Sequence, residues 1–245
     1  MEQIKKHFDD FTFHARVMPV LVESIPFLVV GAKGLIVSNA LETGTMITLA
    51  IIVVSLLYRL ARDRGKRCED KMVERLGYKP TVLMLRFSDT HIGAVSKKEY
   101  HQRINKVFHL ALPLEASDEK PEDDAQYEAA VRSLKNRANS DRSAEFRVYQ
   151  ELKEYHFFRN LYGIKPIAIG IYGVLAFREF FVVRNFSFVD LFLHPFPDYL
   201  TFLIFVTWIL LNSFVTQKWV EERSYSYGKA LIETCERLPN EFTDS

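Results

Sequence analysis

Four apolar stretches, 17–37, 45–60, 164–183 and 199–216, bracket a charged block at 61–160, and this alternation constrains the chain more than any motif. A helix rises about 1.5 Å per residue, so crossing a hydrocarbon core of about 30 Å takes about 20 apolar residues. All four stretches approach that length, and 45–60 reaches it if Glu42 and Arg59 carry their charged ends out to the interface. Composition conceals the alternation. The chain is 48% hydrophobic and 26% charged, as a soluble protein would be, yet 46–57 carries no charge and 118–124 is almost all charge. The pattern predicts an all-α polytopic membrane protein with four transmembrane helices, arranged as two hairpins flanking a helical cytoplasmic domain. Its expected segments are an N-terminal amphipathic helix and hairpin at 1–60, the central domain at 61–160, a second hairpin at 161–217 and a C-terminal helix at 218–245.

Charge sets the orientation. Lys5, Lys6 and Arg16 precede the first stretch, Arg59, Arg62, Arg64, Lys66 and Arg67 follow the second, Arg159 and Lys165 flank the third, and Lys218 follows the fourth. The connections near 38–44 and 185–198 are almost free of Lys and Arg, so both termini and the central domain are expected in the cytoplasm of a bacterial inner membrane. Cys68 and Cys235 then lie in a reducing compartment, which argues against a disulfide, and two thiols make no metal site. The first stretch follows a charged leader and contains Glu23 and Lys33, so it reads as a retained helix and not a cleaved signal.

Local signals place the elements. In the leader, Ile4, Phe8 and Phe11 share one helical face, suited either to the membrane interface or to packing on the central domain. Pro19 and Pro26 are expected to interrupt the first membrane helix. Glu23 faces either a pore or helix–helix contact, or lies near the headgroups. The second helix is expected to run on to a left-handed stop at Gly77. The apolar run 80–87 fits a buried strand or a helical turn equally. Ser96 to Glu99 reads as a capping box opening a helix that Pro113 ends, and a further helix is expected over 125–138. Another begins near Ser143 and stops at Gly163, just before Lys165 and Pro166. Trp208 falls in mid-span and reads as packing.

Catalytic signatures are scarce: there is no P-loop, G-x-S-x-G or H-E-x-x-H pattern. Asp89, His91 and His101 are the one group that suggests acid–base or hydrolytic chemistry. The stronger signal is cationic. Lys97, Lys98, Arg103 and Lys106 come from one predicted helix, Arg132, Lys135 and Arg137 from the next, and Arg142 and Arg147 from the connection after it. If these elements share a groove they form an anion site, with Tyr100, Tyr149, Tyr155 and His156 available to stack bases. The plainer alternative is a set of solvated helix faces balanced by the acidic run 115–124. Gating or pore-lining roles fall to Glu23, Arg159, Lys165, Asn212 and Ser213, the ionisable and polar residues within or beside the apolar stretches.

Four blocks carry a resemblance: Gly77-Tyr78-Lys79-Pro80-Thr81 with Leu85-Arg86, Lys98-Glu99-Tyr100-His101, Tyr127 to Arg132, and Tyr155 to Pro166. The last is close to a Y-G-F-R-R-N-L-x-G-x-K-P motif; His156 stands for the Gly and Phe158 for the first Arg, while Arg159, Asn160, Gly163, Lys165 and Pro166 match. Together they resemble a family of small bacterial anti-phage defence membrane effectors, that of the Hailong system. The resemblance implies a homo-oligomeric ion channel, here expected as a tetramer, whose central domain senses a ligand and which depolarises the inner membrane when activated. It further implies closure by short single-stranded DNA oligomers made by a partner nucleotidyltransferase; the scarcity of catalytic and metal motifs separately leads to an expectation of no cofactor and no enzymatic activity. Two alternatives stand beside it: a pore opened by a cyclic or linear nucleotide, and a membrane-tethered hydrolase using Asp89, His91 and His101.

Overall fold

The computed structural model describes the backbone at 9–35, 40–184 and 198–238, and side chains at 9–30, 52–121, 123–180 and 200–238. Ile4 and Phe8 of the leader, the Lys33 side chain and most of the connections at 38–44 and 185–198 lie outside the described residues. Among the described residues all regular structure is helical, with no strand. The chain divides into two compact units: Met1–Glu69 with His156–Trp219, and Asp70–Tyr155 with Val220–Ser245. The C-terminal helix, expected as a separate segment, therefore belongs to the second unit.

The first unit begins with α1 (Asp10–Thr12), capped by Asp9, whose Oδ1 accepts the Thr12 N–H at 3.0 Å. A π-helical turn, Phe13–Val17, leads to α2 (Met18–Glu23) and α3 (Ile25–Leu35). Pro19 and Pro26 sit in the first turns of α2 and α3, Pro19 directly after the π-helical turn, which runs on into α2 without a gap. The break between those helices falls instead at Ser24.

Two long helices follow, α4 (Ala40–Leu76) and α8 (Phe146–Arg184), and then α9 (Asp198–Ser213). The expected stop at Gly163 does not occur, because α8 continues through Gly163 and Pro166. Gly163 serves close approach instead. A Cβ there would lie 2.4 Å from the Gly65 nitrogen, and a Cβ on Gly65 would lie 2.6 Å from Asn160 Oδ1. Tertiary contact with α4 thus holds a sequence that locally favours a break, and Arg64 Nε donates to Gly163 O at 3.2 Å in the same region. Along α8, Ile164, Ala168, Tyr172 and Ala176 are buried at four-residue steps. The first packs with Val20 and Ala61, the others with Phe205 of α9. Among the described residues one helix, Phe146–Phe180, contains a window long and apolar enough to cross a membrane; the pair 200–213 and 217–237 also passes that test if joined.

In the second unit α4 ends at Leu76 and Gly77 adopts φ +84°, a left-handed geometry that favours glycine. The ambiguous run 80–87 opens as a helical turn, α5 (Pro80–Leu83), with Pro80 in its first turn. Helix α6 (Ala94–Phe108) begins after Gly93 with no side-chain cap, so the expected capping box at Ser96–Glu99 falls inside it. It closes on His109, in the left-handed region at φ 53°, ahead of the expected stop at Pro113. Helix α7 (Asp124–Ser140) buries Tyr127, Ala130, Val131, Leu134 and Ala138 on one face. Asp124 in its first turn and Arg137 in its last match the helix dipole. Helix α10 (Gln217–Glu233) and the 3₁₀ turn Thr234–Arg237 bring Tyr227, Leu231 and Cys235 into this core. Fully burying a side chain such as Leu134 or Leu231 stabilises the fold by about 1.5–3 kcal/mol.

Candidate anion-binding site

The turn after α4 and the exposed edge of α7 enclose a cavity of about 400 Å³ in the second unit. Gly77 takes its left-handed φ at the end of α4, and the extended Lys79 before Pro80 lines the cavity. Arg132 and Lys135, three residues apart on α7, come from the opposite side. Val73, Val82 and Val131 make the apolar part of the lining, and Tyr78 adds an aromatic ring. Three cations thus face one carboxylate, Glu128. Lys79 and Arg132 have no ion-pair partner among the described residues.

Lys135 also lines a second cavity, of about 220 Å³, with Arg142, Tyr149 and Tyr227. There the Arg142 guanidinium lies 5.5 Å from the Tyr149 ring centre and Lys135 Nζ 5.8 Å from that of Tyr227. Aromatic faces next to cations suit a base beside its phosphate.

The remaining expected cations have other tasks. Lys97 is 1% exposed and donates to the carbonyls of Arg86 and Asp89, and burial lowers its pKa. Lys98 pairs with Glu115 at 3.0 Å and Arg147 with Glu233 at 2.8 Å. Arg103 pairs with Glu99 and donates to the carbonyls of Glu236 (2.7 Å) and Leu238 (3.2 Å), closing the end of the C-terminal turn. Lys106 and Arg137 are exposed and line neither cavity. Helices α6 and α7 therefore do not pool their cations in one groove; α7 and the turn at Lys79 do. Of the expected stacking residues, Tyr149 lines one of these two cavities and Tyr100, Tyr155 and His156 line neither. Tyr100 is buried with its hydroxyl donating to Glu236 at 2.8 Å, Tyr155 stacks on Tyr227, and His156 lies in the first unit. Lys79 and Tyr78 escaped the reading by charge pattern, although their signal, a Gly-Tyr-Lys-Pro turn, is plain in the sequence.

His91 Nδ1 contacts Asp89 Oδ2 at 2.9 Å, and its ring stacks on Tyr225 at 4.2 Å. His101 is fully buried, with Nδ1 2.6 Å from the Pro113 carbonyl and Nε2 2.9 Å from that of Leu85. Both ring nitrogens are thereby engaged by main chain. Burial lowers the His101 pKa more than these carbonyls raise it. Among the described residues no group of three or more His, Cys, Asp or Glu is placed to hold a metal ion.

In the first unit Glu23 is 6% exposed, and its Oε2 accepts from Trp208 Nε1 at 3.1 Å and from Asn212 Nδ2 at 3.0 Å. Trp208, read as packing, therefore also carries a polar contact. Arg159 Nη1 meets Glu69 at 2.5 Å, Asn160 Nδ2 donates to the Ala15 carbonyl at 2.7 Å, and Lys165 Nζ donates to Val215 O at 2.8 Å just past α9. Ser213 Oγ is exposed and donates within its own helix to Ile209 O. No known protein family, curated protein or solved structure matches this chain.

Proposed function

We propose that the protein is a membrane effector whose second unit binds a phosphate-bearing ligand through Lys79, Arg132 and Lys135, and that the ligand sets the state of a pore formed by the first unit. The observation that carries the reading is the 400 Å³ cavity, where cations converge on an apolar floor beside a second cavity with aromatic walls. Phosphates would sit against the three cations and a base against the half-buried Tyr149. A short single-stranded DNA oligomer from a partner nucleotidyltransferase fits that chemistry and accords with the family resemblance; it would hold a tetrameric channel closed until infection removes it.

The bilayer reading rests on apolar surface. Leu28, Leu56, Val174, Phe177 and Leu210 on helices of the first unit, and Phe214 just past α9, are all 59–71% exposed, an arrangement that water disfavours and lipid or a neighbouring subunit would cover. With the Lys/Arg asymmetry of the connections, it favours four spans and a cytoplasmic second unit. The Asp89–His91 contact is the observation favouring the hydrolase alternative. His91→Ala separates the two, because a pore keeps its toxicity and an enzyme loses it.

The direct test is binding of a short single-stranded DNA to the purified protein by fluorescence anisotropy. Replacing Lys79, Arg132 and Lys135 together with Gln is expected to weaken binding roughly tenfold or more for each cation removed. The slope of log K against log salt should fall by about 2, at roughly 0.7 per phosphate neutralised on single strands. Unchanged affinity and slope would remove the site.

A further inference from the structure

A separate cavity of about 370 Å³ lies wholly in the first unit, between the segment at Phe11–Arg16, helix α4 just past its apolar stretch, and α8. Arg62 and Lys66, one turn apart on α4, and Arg16 project to it, as does Arg159. Opposing them are Asp63 and Glu69, and Glu69 is already held by Arg159. Arg16, Arg62 and Lys66 have no ion-pair partner among the described residues, and Arg62 and Lys66 are exposed. The walls are fixed from behind: Asn160, 0% exposed, donates to the Ala15 carbonyl and ties the leading segment to α8. The Gly65 backbone packs against that same Asn160 and so sets α4 in place.

We propose that this cavity binds the phosphodiester of an anionic phospholipid headgroup, with Arg62 and Lys66 as its principal ligands and Arg16 as the third. The charge excess calls for an anion, and converging guanidinium and ammonium groups suit a compact oxyanion. Depth along α4 selects the lipid. Arg62 and Lys66 follow Leu60, the last residue of the apolar stretch, by about 3 Å and 9 Å along the helix axis at about 1.5 Å per residue, spanning the headgroup layer of about 5–7 Å. Asp63, at the same level, would accept from a headgroup hydroxyl and so prefer a polyol such as glycerol. The lipid assignment, though not the anion chemistry, rests on the membrane reading above. A lipid seated here would bridge the leading segment to α4 and α8, so that lipid composition conditions the pore.

The test is native mass spectrometry of the purified full-length protein with phosphatidylglycerol or phosphatidylcholine, and in parallel calorimetry with sn-glycerol 1-phosphate and inorganic phosphate. Wild type is expected to retain phosphatidylglycerol in preference to phosphatidylcholine. Arg62→Gln with Lys66→Gln should weaken that retention roughly tenfold for each cation removed. Both side chains are exposed, so this variant keeps its fold, which a thermal melt verifies. Arg132→Gln with Lys135→Gln should retain lipid like wild type, so failure of the DNA site and failure of the lipid site are read separately. Saturable binding of the soluble phosphates that the first variant abolishes, without lipid retention, keeps the anion site and assigns it to a free phosphate. Equal binding of every probe by that variant and wild type overturns the proposal.

Discussion

His101 illustrates how one buried side chain ties stability to pH. A neutral imidazole donates to only one of its two carbonyl neighbours, Pro113 O and Leu85 O, yet burial still lowers its pKa below the ordinary 6.5. The sign follows directly. The unfolded chain takes up the proton first as pH falls through 6.5, so stability is complete above that value and declines below it until the folded protein protonates. The thermal midpoint of the second unit should therefore drop on going from about pH 7.5 to about pH 5.5, more steeply in wild type than in His101→Gln, which keeps an amide donor but has nothing to titrate. Parallel pH profiles for the two would show that His101 is not the group responsible. Lys97 lies in the same core with its pKa also lowered by burial.

At the level of elements, the contact between α4 and α8 depends on two glycines. Gly163→Ala places a methyl 2.4 Å from the Gly65 nitrogen and 2.9 Å from the Ala61 carbonyl, backbone atoms that cannot swing away. Overpacking of this kind costs about 1–3 kcal/mol or more, and a lower melting temperature in detergent is the expected reading. Gly170→Ala, where an added Cβ meets nothing within 4 Å, is the control and should gain slightly in helix propensity. The same glycine pair marks the limit of what the sequence discloses. Helix α7 and the stop at Gly77 were legible because their signals are local: apolar period, end charges and a left-handed glycine. Whether Gly163 ends a helix or admits a neighbour depends on Gly65, which is remote in the chain. Likewise Arg132 and Lys135 were legible as adjacent cations, but the burial of Lys97 was not, because its acceptors are carbonyls of the turn at Arg86 and Asp89. Lys79 was missed because a single cation in a turn carries no periodic signature.

Across the whole molecule, the division into two units separates two kinds of surface. The first exposes large apolar side chains along its helices; the second closes its core around α7 and α10 and leaves cations at cavity rims. Each unit also holds one cysteine, Cys68 in the first and Cys235 in the second, neither in a disulfide. Cys235 is 0% exposed, and burial pushes its thiol up to about 12, so almost no thiolate exists at neutral pH. Cys68 is only half-buried and so open to a reagent in the folded protein. A maleimide should therefore modify the native protein once, at Cys68, and a second time only after the second unit opens. Rising urea should bring in the second label along that unit's own unfolding curve, and prompt double labelling of native protein would contradict the buried placement of Cys235. The two thiols thus make an internal clock: one counts molecules, and the other times the opening of the proposed sensor, with no engineered probe in either.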